Sequence, residues 1–251
     1  MKTYAPSFYK DFKCKAGACS RTCCAGWEID IDEESLAKYK AMEGPLGDRL
    51  RENIDESGEM PCFKLKEGDR CPFLNDSNLC ELIIETGSED ILCQICTDHP
   101  RFRNFWTNIT EVGPGLACEE AARLVLSSEK PLELVLIEDD GLDVYGEPLD
   151  PDDPDSQIPR YEEYLMDVRQ ALWDELAAKE WPSSMHQRLA EYLVFRHIPD
   201  ALYDDRLQER INWVNKYYKD VLSRLENPDN PDLDDFIQAA VEFSIEVEYK
   251  A

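Results

Sequence analysis

The chain has 251 residues, 43% of them apolar, which is enough for one large or two modest domains with a real core and excludes a disordered chain. Lys and Arg number 27 against 54 Asp and Glu, a formal net charge of −27. Such a surface repels nucleic-acid phosphates and anionic lipid head groups, so neither nucleic acid nor membrane is expected as a partner, while solubility or a basic, lysine-bearing partner is compatible with it.

The N-terminus, Met-Lys-Thr-Tyr-Ala-Pro, lacks the apolar stretch of a secretory signal. No apolar run approaches the roughly 18 residues that a membrane span needs. A cytoplasmic location is the expectation, and there the ten cysteines are reduced rather than paired as disulfides. After a first cysteine loop, Asp30 or Asp32 caps a helix through about Met42, with Glu33 and Glu34 in its first turn, and Gly44-Pro45 stops it. A second short helix runs from Leu46 to Ile54. Pro61-Cys62, a turn at Glu67-Gly68-Asp69, and Cys71-Pro72-Phe73-Leu74 follow. Cys80 begins a helix that Gly87 ends, and Ser88 caps another that carries Cys93 and Cys96 and breaks before Pro100. Residues 101–112 are aromatic and β-branched and read as a strand or small hairpin. Cys118 then opens the helix Glu119–Leu126, where the helix dipole favours thiolate.

Composition shifts at Glu138 to an acidic, proline-containing stretch. The expected division is a cysteine-rich metal or iron–sulfur domain over residues 1–137, a linker over 138–159, and a helical domain over 160–251. In the last, Tyr161, Leu165, Val168, Leu172 and Leu176 lie on one face. Ser183 caps a second helix that Pro199 interrupts; Leu207 to Leu225 and a segment around Phe236 give a third and fourth, a bundle. The fold class is therefore mainly α: a cysteine-rich metal-binding N-terminal domain with short helices and a small hairpin, then a helical bundle.

Four thiols, Cys14, Cys19, Cys23 and Cys24, fall within eleven residues, and no cysteine follows Cys118. Thiolates select zinc, copper(I) or iron–sulfur clusters. Only Cys93 and Cys96 have C-x-x-C spacing, so this is not a paired zinc ribbon. His99 follows Cys96 closely and reads as a ligand or a supporting group. His186 and His197 read as surface or core histidines. Glu120 and Arg123, beside Cys118, read as site residues or, more simply, as capping and surface pairing. Asp98, His99 and Arg101 form the other polar group near a thiol.

Phe12-Lys-Cys14, Cys19-x-x-x-Cys23-Cys24-x-Gly26-Trp27, Cys71-Pro72-Phe73-Leu74, Leu79-Cys80, Cys96-x-x-His99-Pro100-Arg101 and Gly115-Leu-Ala-Cys118-x-Glu120-Ala121-Ala122-Arg123-Leu124 together resemble the flagellin lysine-N-methylase (FliB) family, related to the YkgJ-type cysteine-cluster proteins. The resemblance covers about the first 125 residues, with an echo in Tyr192–Arg196. It implies a bacterial cytoplasmic enzyme that moves methyl groups from S-adenosylmethionine to lysine side chains of flagellin, with an iron–sulfur centre, 4Fe-4S in type, or zinc in its place. It also implies the ligand set Cys14, Cys19, Cys23, Cys24, Cys71, Cys80, Cys96 and Cys118, more thiols than one four-iron cluster takes. Cys62 and Cys93 fall outside that pattern and read as buried or spare thiols. No Gly-rich dinucleotide loop and no C-x-x-x-C-x-x-C radical signature is present. A non-catalytic zinc or iron–sulfur module is the alternative function.

Overall fold

A computed structural model describes residues 1–22, 24–141, 158–204 and 206–248. Cys23 and most of the expected linker, residues 142–157, lie outside the described residues. The chain is about half helical with a small sheet. In order the elements are β1 (Lys2–Pro6), α1 (Glu33–Ala41), α2 (Gly44–Glu52), β2 (Ile54–Asp55), β3 (Cys62–Phe63), α3 (Glu81–Thr86), α4 (Gln94–Asp98), β4 (Arg101–Phe105), β5 (Ile109–Pro114), α5 (Glu119–Leu126), β6 (Leu134–Asp139), α6 (Ile158–Ala178), α7 (Ser184–His197), α8 (Ala201–Asp204), α9 (Leu207–Leu222) and α10 (Leu233–Glu248).

The expected hairpin forms as β4–β5, but it belongs to a larger sheet of order β4-β5-β1-β6. β1 runs parallel to β5 and antiparallel to β6. A parallel neighbour so far away in sequence leaves no hairpin signal, which is why β1 did not read as a strand. β6 extends to Asp139, past the point where the linker was expected to start.

Among the described residues there are two large cores and a small third cluster of Trp106, Leu165 and Ala201. The larger gathers Leu116, Ala122, Val125 and Leu126 with Leu189, Leu193, Phe195, Val221, Phe236 and Ala240, so α5 packs with α7, α9 and α10 across the expected domain boundary. The sheet is pressed onto α7. A Cβ on Gly113 would stand 2.8 Å from the Phe195 ring and 2.6 Å from that of Phe102, and the Tyr192 hydroxyl donates to the Pro114 carbonyl at 2.5 Å. α6 is tied to β5 by a buried pair: Arg169 donates twice to Glu111, at 2.6 and 2.7 Å, and the Trp106 indole N–H donates to the same carboxylate at 3.1 Å.

The smaller core is built on Ile29, Ile31, Tyr39, Leu50, Phe63, Phe73, Leu82 and Ile91, and it includes Cys71 and Cys93. Its elements are short. α1 ends at Ala41, with Met42 extended, before Gly44-Pro45 is reached; that pair instead opens α2, where a proline in the first turn has no amide to waste. The helix expected from Ser88 through Cys96 is two pieces. Ser88 caps a single 3-10 turn, Glu89–Ile91, Leu92 is extended, and α4 starts afresh after Cys93. The reason is Asp32. One carboxylate oxygen accepts from the Ser35 amide at 2.9 Å, capping α1, and the other accepts from the Gln94 amide at 2.8 Å, capping α4. A second cap at residue 94 sets a helix start there rather than a continuation.

Candidate metal centre

The described cysteines are all free thiols, and all of them but Cys62 fall into two groups. Cys71 and Cys93 are buried in the smaller core, with Cys24, Cys80 and Cys96 packed against it. Local geometry brings them there. Cys24 and Cys71 are joined by a backbone bond, the Cys71 amide donating to the Cys24 carbonyl at 3.0 Å. Leu74 and Cys80 form an isolated bridge across the Asn75–Asn78 turn, whose Asn75 side chain accepts from the amides of Ser77 and Leu79. Cys93 and Cys96 are separated by the first turn of α4.

Burial pushes the Cys71 thiol up to about 12, with Cys24, Cys80 and Cys93 adding to the rise. Burial also raises Cys80, where Cys24 contributes. Cys96 is raised by its hydrogen bond with Cys93, by burial and by Cys71 and Cys24, whereas the same Cys96 contact lowers Cys93. Cys93 and Cys96 are hydrogen-bonded to each other, and the remaining sulfurs of the group lie within electrostatic reach of one another. A soft cation reverses that electrostatic balance, because it stabilises thiolates that burial disfavours. The donor set thus fits a thiophilic metal or an iron–sulfur cluster in kind, although among the described residues no three of His, Cys, Asp and Glu stand close enough, as they are, to enclose an ion.

Cys93, set aside in the sequence, is fully buried and lies inside this group; its C-x-x-C spacing with Cys96 was the signal that could have placed it there. Cys62 joins neither group: burial raises it and its charged neighbours are Glu28, Asp55 and Asp30. His99 stacks on Trp27 of the first cysteine loop, ring centroids 5.1 Å apart. Burial and then Arg101 hold the imidazole down to about 4, so it is neutral at ordinary pH.

The second group is Cys14, Cys19 and Cys118. Cys118 stands at the N-cap of α5 and is buried, Cys19 is half-buried and Cys14 is exposed. Burial raises Cys118, with Cys14 among the causes. Cys19 is pushed up to about 11 by burial, then by Glu119, Cys118 and Cys14. Glu120 and Arg123 pair with each other at 2.5 Å, and Glu120 also takes Lys15 at 2.6 Å; Arg123 first and Lys15 next hold the Glu120 carboxyl down to about 2. They are structural partners rather than free site groups. Asp98 likewise pairs with Arg103 at 2.8 Å. His186 and His197 are core histidines, 1% and 3% exposed.

Away from the thiols, a cleft of about 500 Å³ lies between α6 and the sheet, lined by Tyr4, Glu111, Leu134, Arg169, Trp173 and Asp174 among others. No described helix is long and apolar enough to cross a membrane.

The described residues form a small sheet on a helical core, with thiols brought in from distant segments. The chain is 29% identical over 138 residues to the flagellar biosynthetic protein FliU of Salmonella muenchen, a match covering 51% of this chain and 79% of that protein. It is 28% identical over 138 residues to the lysine-N-methylases of Salmonella choleraesuis and Salmonella typhimurium, covering 51% of this chain but 33% of each of theirs. The resemblance read from the cysteine pattern is borne out, and the chain is FliB-like. It spans about a third of the length of the lysine-N-methylases it matches. No protein-family model and no solved structure matches it.

Proposed function

We propose that the protein acts in methyl transfer to lysine side chains of a protein substrate, flagellin by resemblance, with S-adenosylmethionine as donor and with Cys24, Cys71, Cys80, Cys93 and Cys96 holding an iron–sulfur cluster or zinc. What carries the reading is the gathering of these five thiols around one core in a chain similar to lysine-N-methylases. S-adenosylmethionine supplies an electrophilic methyl group: its S–CH₃ bond breaks, a C–N bond forms to the neutral lysine amine, and S-adenosylhomocysteine leaves. The amine must first lose its proton, so a carboxylate or a dry pocket is required near it. The net charge of −27 favours approach of a lysine-presenting surface. For the donor, the cleft beside Trp173 is the candidate, since it joins an indole face and apolar walls to the Glu111–Arg169 pair.

Anaerobically purified protein is expected to bind S-adenosylmethionine in calorimetry and to add methyl groups to flagellin lysines, read by mass spectrometry. A metal-loaded protein that binds no donor and leaves flagellin unmodified would sink the enzymatic part. The second reading, a non-catalytic thiolate metal module, would then stand.

A further inference from the structure

We propose that the outer edge of β6 is a docking surface for an extended, lysine-bearing segment of a protein substrate, which adds to the sheet as a further strand and presents one lysine to the cleft beside α6. The inference deepens the reading above: it rests on a protein lysine as the acceptor and names how that lysine arrives.

In the order β4-β5-β1-β6, β6 is terminal, and among the described residues no strand pairs with its outer side. Its inner side is fixed by β1. The Ser7 amide donates to the Glu133 carbonyl at 2.8 Å, and the register then sets Pro6 opposite Leu134, Ala5 opposite Val135 and Tyr4 opposite Leu136. Hydrogen-bonded pairs alternate along an antiparallel ladder. Glu133 and Val135 therefore bond inward to β1, while Leu134 and Leu136 turn their N–H and C=O groups outward. Those outward groups are the template that an added strand pairs with. The same edge carries apolar side chains in solvent, Leu136 at 49% and Ile137 at 42% exposure.

Charge selects the occupant. Glu133, Glu138 and Asp139 are exposed along this edge. The base on the adjoining strand is Lys2, opposite Asp139, which leaves the edge net acidic. The other terminal strand, β4, carries Arg101 and Arg103. Of the sheet's two edges, β6 is thus the one complementary to lysine.

The register decides which residue of the docked segment reaches the cleft. Glu111 of β5, Tyr4 of β1 and Leu136 of β6 are successive partners across the sheet, so their side chains form one row on one face. That face is the floor of the cleft: Glu111, Tyr4 and Leu134 line it, with Trp173 and Asp174 on the α6 wall. A residue seated opposite Leu136 on an added strand continues the row about 5 Å further out. A lysine there lays its apolar stem along Leu136 and directs its amine toward the cleft, while its two neighbours in the segment point to the other face.

The test uses the full chain and a short peptide of alternating Lys and Thr, with an alternating Glu and Thr peptide as control. Calorimetry is expected to show binding of the lysine peptide and none of the glutamate peptide. Amide exchange read by NMR should show Leu134 and Leu136 gaining protection, with Val135, already in the ladder, unchanged. Leu136→Pro removes an outward N–H and none from the β1 ladder, so it should weaken binding about tenfold. Glu138→Lys with Asp139→Lys changes only exposed side chains, keeps the fold if the proline variant does not, and should weaken binding by at least about tenfold at low salt. Absence of binding by the lysine peptide overturns the proposal, as does protection that omits β6, or wild-type affinity in the charge-reversed variant. Self-association with Leu134 and Leu136 already protected before peptide is added gives the edge to a second copy and overturns it too. Methylation of flagellin at the wild-type rate by the charge-reversed variant sinks the docking surface and leaves the enzymatic reading intact. Peptide docking at β6 without any methyl transfer sinks the enzymatic reading and upholds the surface.

Discussion

The two large cores among the described residues are built in opposite ways. The larger joins helices of up to 21 residues through aliphatic and aromatic side chains, with Tyr217 edge-on to Phe243 at 4.6 Å and to Trp213 at 5.1 Å. The smaller has helices of five to nine residues, strands of two, and sulfurs among its apolar groups. Helices that short do not hold themselves, and neither do two-residue ladders. What the contrast teaches is where each half draws its stability: the larger core from apolar burial, the smaller, on the reading proposed here, from burial plus a bound metal.

The sharpest way to break that contrast is chelation. A structural thiolate metal can contribute on the order of 10 kcal/mol. Removing it should melt the smaller core while the helices of the larger persist, seen as loss of one of two thermal transitions with most far-ultraviolet helix signal retained. Next in size is Phe195→Ala, at a side chain with no exposed surface where the sheet meets α7. It should cost about 3–5 kcal/mol in urea denaturation without changing metal content. Asp32→Ala removes two caps at once and should cost about 2 kcal/mol, confined to the smaller core, with metal affinity falling because Cys93 and Cys96 lose their anchor.

The smallest effect is on pH. Burial holds the His197 imidazole below its usual 6.5, against the pull of Asp200 at 3.6 Å. The unfolded chain therefore takes up the proton first, and stability of the larger core falls as pH drops below about 6.5. Asp200, held below 3.8 mainly by its His197 contact, adds a loss only at lower pH. A melting-temperature series from pH 8 to pH 5 in wild type and His197→Asn should show the wild-type slope flattened in the variant.

The helical half was legible because its period is regular: Leu207, Ile211, Val214, Tyr218 and Val221 mark α9 to within a few residues. Gly87 was legible for a different reason, since it sits at a φ of +72° that ends α3. What the sequence did not yield was long-range. β1 is a strand only because β5 and β6 flank it, and α4 is a separate helix only because a carboxylate some sixty residues earlier caps it. The cysteine pattern marked the thiols, but their division into two groups follows from which loops dock on α5, and contacts such as Ser20 to Glu119 leave no local trace. Arg169 with Glu111 is likewise invisible in a sequence where charged residues are common.

Asp32 has a practical corollary. By holding residues 35 and 94 at one point, it closes the intervening stretch into an excursion whose two ends cannot drift apart. Extra length placed inside the excursion, at the exposed Ser57–Met60 turn, leaves both ends where they are. That turn is the natural insertion point for a fluorophore or affinity handle, because the thiols on either side keep their spacing.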